Sequence, residues 1–133
     1  MKKLLVLLIS ILISFNSYGE KVLFCNDELA TGFKYKNGNY AMQKFTLQRY
    51  TIKFNDDYSV LSGLDDKDWK CFNSYFTSEY NSIACESPWQ NGASFSFHKP
   101  SKRYLYFYSG TDGYIDPSTQ GDDLISVGTC KDF

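Results

Sequence analysis

The chain has 133 residues, of which 18% are aromatic and 22% are charged, and it contains one histidine and four cysteines. This length favours one domain and excludes a multidomain enzyme. The apolar fraction of 43% exceeds that of chains that stay disordered, so the sequence predicts a folded protein. It contains no Gly-rich phosphate loop, dinucleotide fingerprint or Gly-x-Ser-x-Gly motif, so no cofactor is implied.

The N-terminal residues have the pattern of a secretory signal peptide. Two lysines precede a largely apolar run at residues 4–13, and small and polar residues follow up to Gly19. The apolar run is roughly half of the ~20 residues that a transmembrane helix needs, which disfavours an anchor. The sequence therefore predicts a signal peptide at residues 1–19 and a single all-β domain at residues 20–133 that is periplasmic or secreted.

The mature chain is expected to be mildly acidic. The full sequence has a formal net charge of −1 at pH 7, and loss of Lys2 and Lys3 with the leader makes this charge more negative. Such a charge disfavours DNA, RNA and anionic membranes as partners. We expect a monomer without a membrane anchor after cleavage, whose partner is an extracytoplasmic protein or glycan.

The four cysteines agree with an oxidising compartment, because an even number in a short exported chain is typical of disulfides. No Cys-x-x-Cys spacing occurs and the one histidine is distant in sequence, so no metal site is predicted. Three pairings are possible. We favour Cys25 with Cys130, which ties the chain ends together, and Cys71 with Cys85, which closes a short loop.

Turn residues and alternation predict the first strands. Asn37-Gly38 is a strong two-residue hairpin signal, and it places Tyr35 opposite Tyr40 on one apolar face. A further strand is predicted at residues 50–54, where apolar and polar side chains alternate. Before this strand the apolar residues Phe45 and Leu47 are at odd-numbered positions, whereas within it the apolar residues are at even-numbered positions. A bulge or short turn is therefore expected near Gln48.

The second half of the chain predicts another hairpin and a final strand. Strands at residues 94–98 and 103–109 flank a turn in which Pro100 presets the backbone angle, and a last strand is predicted at residues 124–130. The acidic stretch 62–70 is expected to be a surface loop, and the structure of 69–89 is left open. Short strands without a helical period predict an all-β fold. We expect a small, disulfide-tied antiparallel β-barrel or sandwich of about 7–8 strands, with an eight-stranded barrel preferred.

The candidate binding residues lie in the second hairpin. One of its faces is expected to carry four apolar side chains: Phe95, Phe97, Leu105 and Phe107. The opposite face is expected to carry the ligand-binding side chains: Tyr104, Tyr106, Tyr108 and His98. Tyrosine gives a large contact area with few rotatable bonds, which suits stacking on a sugar or anchoring a protein. The alternatives are that these tyrosines are ordinary cross-strand packing or the wet side of a barrel. The sequence leaves open whether the tyrosine face is lumen, exterior or core.

Other chemistries have less support in the sequence. His98 has no identifiable nucleophile as a partner, so we expect a surface histidine beside a turn. The alternative function is a small secreted hydrolase with a carboxylate pair, in which Glu86 beside Trp89 is a conceivable acid. The acidic clusters at 65–68 and 112–123 lack the spacing of an EF-hand, so they are expected to be solvated loop charges.

A leader, two expected disulfides and aromatic-rich strands are the features in which the chain resembles small secreted bacterial β-barrel proteins, a group that includes lysozyme inhibitors. The resemblance carries over no residue. Together with the lack of a catalytic constellation, it leads us to expect an exported, non-enzymatic binding protein. This protein would be inhibitor-like or carbohydrate-binding and would recognise its ligand through an aromatic surface.

Mass spectrometry of the exported protein tests the predicted processing. We expect a mature chain that begins at Glu20 and has no free thiol, because the leader directs the chain to a compartment where disulfides form and persist. Retention of residues 1–19, or four free thiols, would contradict this prediction.

Overall fold

The chain is all-β, which confirms the predicted fold class. The computed structural model describes residues 19–73, 81–89, 92–110, 113–116 and 118–133. Its strands are β1 (Lys21–Lys36), β2 (Asn39–Lys44), β3 (Arg49–Phe54), β4 (Val60–Ser62), β5 (Trp69–Phe72), β6 (Ser82–Glu86), β7 (Ser94–His98), β8 (Arg103–Ser109) and β9 (Asp123–Asp132). Almost all of the predicted signal peptide lies outside the described residues.

Eight of these strands close into an antiparallel barrel, as preferred from the sequence. From β3 to β9 each strand pairs with the next one along the chain, and β9 returns to pair with β1, which also pairs with β3. The remaining strand, β2, pairs with the second half of β1. The loops that follow β4, β6 and β8 lie at one end of the barrel, which we call the mouth.

The two predicted hairpins are confirmed. Asn37 and Gly38 have positive φ values of 52° and 84°, the combination that a type I′ turn requires and that glycine adopts without strain. Tyr35 lies opposite Tyr40 across this hairpin. Strands β7 and β8 have the predicted bounds, and the turn at residues 99–102 joins them.

The predicted irregularity near Gln48 is also confirmed. Strands β2 and β3 are separated by residues 45–48, which continue along the same edge of β1. Two backbone hydrogen bonds of 3.0 Å join this segment to β1, one donated by the Phe45 N–H and one by the Asp27 N–H. Strands β2 and β3 therefore act as one long, interrupted partner of β1.

Strand β1 has a β-bulge that the sequence did not predict. Asp27 pairs with Gly128 of β9, but Leu29 pairs with the residue adjacent to Gly128, so Glu28 is the extra residue. Up to the bulge the buried positions of β1 are odd-numbered, and beyond it the buried position is even-numbered. The bulge therefore turns the odd-numbered positions beyond it, including Phe33, to the outside of the barrel.

Both preferred disulfides are confirmed. Cys25–Cys130 joins β1 to β9 across the seam where the barrel closes, and Cys71–Cys85 joins β5 to β6. In each pair the cysteines face one another in register and are buried. Two disulfides fit an extracellular or otherwise oxidising compartment. Within the described part of the chain, no helix has the length and apolarity to cross a membrane.

The barrel interior is a packed core of aliphatic and aromatic side chains. Its buried members include Leu23, Ile52, Phe54, Leu61, Trp69, Ile83, Phe95 and Phe97. The rings of Phe54 and Phe97, from strands on different sides of the barrel, have centroids 5.4 Å apart. Full burial of each such side chain contributes about 1.5–3 kcal/mol, so the packed interior is a main source of stability.

The segment left open by the sequence, residues 69–89, contains β5 and β6. Residues 74–80 between these strands lie outside the described residues. The predicted acidic loop is shorter than expected and comprises 63–68, because β4 and β5 occupy its flanks. The last strand is longer than predicted and extends beyond both ends of 124–130.

Removal of each disulfide tests how the barrel is stabilised. We expect Cys25→Ala/Cys130→Ala to lower the free energy of unfolding more than Cys71→Ala/Cys85→Ala. A loop of ~100 residues restricts the unfolded chain by about 4.7 kcal/mol and a ~15-residue loop by about 3 kcal/mol. Urea unfolding followed by circular dichroism measures both losses, and equal losses or the reverse order would contradict the prediction.

Candidate functional site

The pairing of β7 with β8 corrects the predicted faces of the second hairpin. Phe97 lies opposite Tyr104, so the tyrosines of β8 share the inward face with the phenylalanines of β7. Leu105 and Phe107 were expected to share a face with the phenylalanines of β7 but lie on the outward face, where Leu105 is exposed. Both faces of β8 are apolar or aromatic, so alternation alone does not determine which one is buried.

The structure separates the four residues predicted to bind ligand. Tyr104 is 4% exposed in the core, Tyr106 is half-buried, and Tyr108 is 41% exposed at the mouth. His98 lies on the opposite, outward face, where its Nδ1 is 2.7 Å from the Ser101 hydroxyl. The binding role of the four residues stays a prediction. Of the four, Tyr106 and Tyr108 line a pocket.

A buried carboxylate, Asp27, connects the tyrosine face of β8 to β1. Its Oδ1 accepts a hydrogen bond of 2.6 Å from the Tyr104 hydroxyl, and its Oδ2 accepts one of 2.8 Å from the Gln48 N–H. Gly128 of β9 lies between Asp27 and Tyr104, and a Cβ there would clash with the Tyr104 hydroxyl and the Asn26 carbonyl oxygen. Glycine at this position therefore makes the hydrogen bond across β9 possible.

The tyrosines near Asp27 are held in their protonated form. Burial, followed by the negative charge of Asp27, raises the pKa of Tyr50 to about 12. Burial is also the largest cause that raises the pKa of Tyr104, followed by its hydrogen bond to Asp27. Burial likewise raises the pKa of Tyr106. These hydroxyls therefore stay neutral at alkaline pH, where an exposed tyrosine ionises.

A pocket of about 450 Å³ opens at the barrel mouth, and we call it the mouth pocket. Its walls are formed by Leu64, Asp65, Trp69, Ser87, Trp89, Ala93, Tyr106 and Tyr108. The Trp69 and Tyr106 rings meet edge to face with centroids 6.0 Å apart, and Tyr106 lies 6.5 Å from Tyr108. Trp89 is 51% exposed. The mouth pocket thus combines two fixed rings with two accessible ones.

The loop at residues 63–68 supplies charged groups to the mouth pocket. The Asp65 carboxylate accepts a 2.9 Å hydrogen bond from the Trp69 indole N–H and a 2.8 Å one from the Lys67 backbone N–H. The Lys67 ammonium lies 3.6 Å from the centroid of a Trp89 ring, a cation–π contact. The pocket therefore has an oriented carboxylate at its wall and a cation on one of its rings.

A second concavity of about 650 Å³ lies on the outer surface, and we call it the outer groove. Its walls are mainly apolar and are formed by Gly32, Phe33, Tyr40, Gly92, Phe107, Ser109, Tyr114, Ile115, Asp123 and Ile125. Phe107 and Ile125 face one another across β8 and β9. Ile115, in the loop between these strands, is 89% exposed. The outer groove thus places large apolar side chains in contact with solvent.

The wall of the outer groove is held by hydrogen bonds at its polar edge. The Asp123 carboxylate accepts a 2.7 Å bond from the Ser109 hydroxyl and a 2.9 Å bond from the Tyr114 N–H. The Tyr40 hydroxyl donates to the Gly113 carbonyl oxygen at 2.7 Å. These bonds attach the loop after β8 to strands β2 and β9, which fixes the shape of the groove.

The residues considered for other chemistries are dispersed. Glu86 is exposed and lies in register with Lys70 and Ser94, neither of which is an acid. The carboxylate of Asp123 is used by the loop contacts above, and Asp112 lies outside the described residues. Within the described ranges, no three His, Cys, Asp or Glu side chains are grouped so that they would hold a metal ion.

Sequence reasoning missed the outer groove and half of the mouth pocket. The groove depends on the bulge at Glu28, which has no signature in the sequence, and on the pairing of β7 with β8, whose facing residues were predicted wrongly. Trp69 and Trp89 lay in the segment that was left open. One usable signal was Asp27, a charged residue at an inward position of an apolar strand, because such a group needs a buried hydrogen-bonding partner.

Comparisons with known proteins give no further guide to this site. No protein-family model matches the chain, and neither a curated protein nor a solved structure matches it.

Paired substitutions test the buried hydrogen bond. We expect Tyr104→Phe to lower the free energy of unfolding by about 1.5–3 kcal/mol, because it leaves the buried Asp27 carboxylate without one donor. Tyr108→Phe removes the same hydroxyl from an exposed ring of the same strand and should change stability by at most about 0.5 kcal/mol. Urea unfolding measures both, and a similar effect of the two substitutions would contradict the assignment.

Proposed function

We propose that this protein is an exported, non-enzymatic binding protein, periplasmic or secreted, that captures an extracytoplasmic protein at the barrel mouth. One observation carries the proposal: the mouth pocket and the outer groove lie on the two faces of the barrel wall at the mouth end of β8. Adjacent residues of this strand, Tyr108 and Phe107, line the pocket and the groove respectively. A partner at this end could therefore contact two aromatic concavities at once.

Rigidity of the barrel supports binding. Trp69 is buried, and its indole N–H donates a hydrogen bond to Asp65. It lies on β5, which the Cys71–Cys85 disulfide joins to β6. Aromatic side chains have few rotors, and a preformed surface loses little conformational entropy when a partner binds. Each well-packed aromatic anchor can contribute about 2 kcal/mol or more to affinity. Stoichiometric capture needs such a surface but no proton donor or nucleophile.

The chemistry of the outer groove favours a protein as the partner. Phe33, Ile115 and Ile125 are exposed, and contiguous exposed apolar surface is typical of protein interaction sites. A glycan needs many hydrogen bonds, whereas the Asp123 carboxylate of the groove is already bonded to Ser109 and Tyr114. The groove therefore suits apolar side chains better than sugar hydroxyls.

A glycan is the second candidate, and the mouth pocket supplies the observation that favours it. The exposed rings of Trp89 and Tyr108 lie beside the Asp65 carboxylate and Ser87. A sugar can stack on such exposed rings and form hydrogen bonds with the polar groups beside them. A glycan would use the mouth pocket without the outer groove, which separates the two candidates experimentally.

Alanine substitutions in the two concavities test the proposal. The mature protein is immobilised, proteins of the extracytoplasmic fraction are captured, and the affinity of each captured protein is measured. We expect Trp89→Ala in the pocket and Ile115→Ala in the groove each to weaken binding about 10-fold or more, because interface anchors contribute most of the affinity.

The matched control is Phe72→Ala, which removes an exposed aromatic ring at the opposite end of β5. It should leave affinity within about 2-fold of the unsubstituted protein. Undiminished binding by both site variants would overturn the proposal. Binding to an immobilised glycan that is lost with Trp89→Ala but kept with Ile115→Ala would support the glycan candidate instead.

A further inference from the structure

We propose that the mouth pocket receives a cationic group, an alkylammonium or a guanidinium, against its aromatic rings and beside the carboxylate of Asp65. This inference rests on the proposed function, since it names the chemistry of the group that enters the pocket. Three features of the pocket support it: a cation already on one ring, accessible aromatic rings, and an oriented negative charge.

The chain itself places a cation at this site. The Lys67 ammonium lies 3.6 Å from the centroid of a Trp89 ring, well within the ~6 Å over which a ring attracts a cation. Lys67 belongs to the exposed loop between β4 and β5. Its side chain is therefore an internal example of the ligand chemistry, and an external cation would compete with it for the same ring.

The remaining rings extend the surface on which a cation can lie. Tyr108 is 41% exposed at the rim, and Tyr106 and Trp69 form the inner wall. Indole and phenol rings attract ammonium and guanidinium groups through the negative potential of their faces, and sets of such rings bind quaternary ammonium ligands. The mouth pocket has this combination in about 450 Å³, which is enough for a lysine or arginine side-chain end.

The charge at the mouth has the sign that a cation requires. Asp65 lines the pocket, and its carboxylate is oriented by the Trp69 indole and the Lys67 backbone N–H. The same loop carries Asp66 and Asp68, so three carboxylates accompany one ammonium. A neutral sugar gains nothing from this excess of negative charge, whereas a cation is attracted by it.

Nuclear magnetic resonance with small probes tests the inference directly. Both tryptophans of the chain line the mouth pocket, so the two indole N–H resonances of the oxidised mature protein report on it. The probes are choline, its neutral isostere 3,3-dimethylbutan-1-ol, and two amino acids blocked at the backbone, Nα-acetyl-lysine methylamide and Nα-acetyl-arginine methylamide. Both blocked amino acids keep a charged side chain. We expect the cations to shift both resonances in a saturable way and the neutral isostere to bind at least about 5-fold more weakly.

Three variants of the acidic loop sharpen the test. Asp65→Asn should weaken cation binding about 2- to 5-fold, because it removes the carboxylate beside the ligand. Asp66→Asn makes the same charge change at an exposed position that does not line the pocket and should have a smaller effect. Lys67→Gln should strengthen cation binding about 2- to 5-fold, because it frees the Trp89 ring from the internal cation.

The probes also distinguish two sources of the cation. Tighter binding of the blocked lysine or arginine than of choline supports a basic side chain of a protein partner. Tighter binding of choline supports a free small organic cation. Both results support the shared chemistry of the site.

Equal binding of choline and its neutral isostere would overturn the inference, as would absence of any shift at the highest soluble concentration. A decrease in affinity on Lys67→Gln would overturn it as well. These failures are distinguishable from failure of the proposed function. Protein capture that depends on Trp89 and Ile115 while cations do not bind rejects the cation alone. Cation binding without any dependence of capture on Trp89 or Ile115 rejects the function alone.

Discussion

The carboxylate of Asp27 is the constraint on which the barrel depends. It lies where the pairing of β1 is interrupted on both edges, by the bulge at Glu28 on one side and by residues 45–48 on the other. A buried charge without partners costs several kcal/mol, but here hydrogen bonds from Tyr104 and Gln48 offset that cost. The same two bonds connect β1 to the tyrosine face and to the interrupted strand.

The bulge divides β1 into two parts whose odd-numbered side chains point to opposite sides of the barrel wall. Before the bulge, Leu23 and Cys25 point inward and belong to the core. Beyond it, Phe33 points outward and, with Tyr40 of β2, forms one wall of the outer groove. A regular strand of this length would bury its odd-numbered residues throughout, including Phe33, and would leave no groove. The local irregularity therefore converts a core strand into a wall of the outer groove within a few residues.

The sequence predicted those features that depend on neighbouring residues or on covalent pairing. Asn37-Gly38 and Pro100 determined two hairpins, and the cysteine spacing favoured the disulfides that the structure contains. The residues that share a face across β7 and β8 were predicted wrongly, and which face of β8 is buried was left open, because its alternating Tyr, Leu and Phe side chains suit either side of the barrel wall. The buried face depends on a partner distant in sequence, Asp27, and on Gly128, which leaves room for the Tyr104 hydroxyl. The candidate sites follow from that choice, so sequence patterns alone did not locate them.

The seam between β1 and β9 also has a consequence for the order of folding. These strands lie at opposite ends of the chain, and their facing cysteines are separated by 105 residues. A contact of such long range is formed slowly, because the intervening chain loses much of its freedom before closure is rewarded. Hairpins such as β7–β8 need only contacts between neighbouring segments, but the cylinder closes only when β9 pairs with β1. The barrel therefore stays open along one side until this last pairing forms.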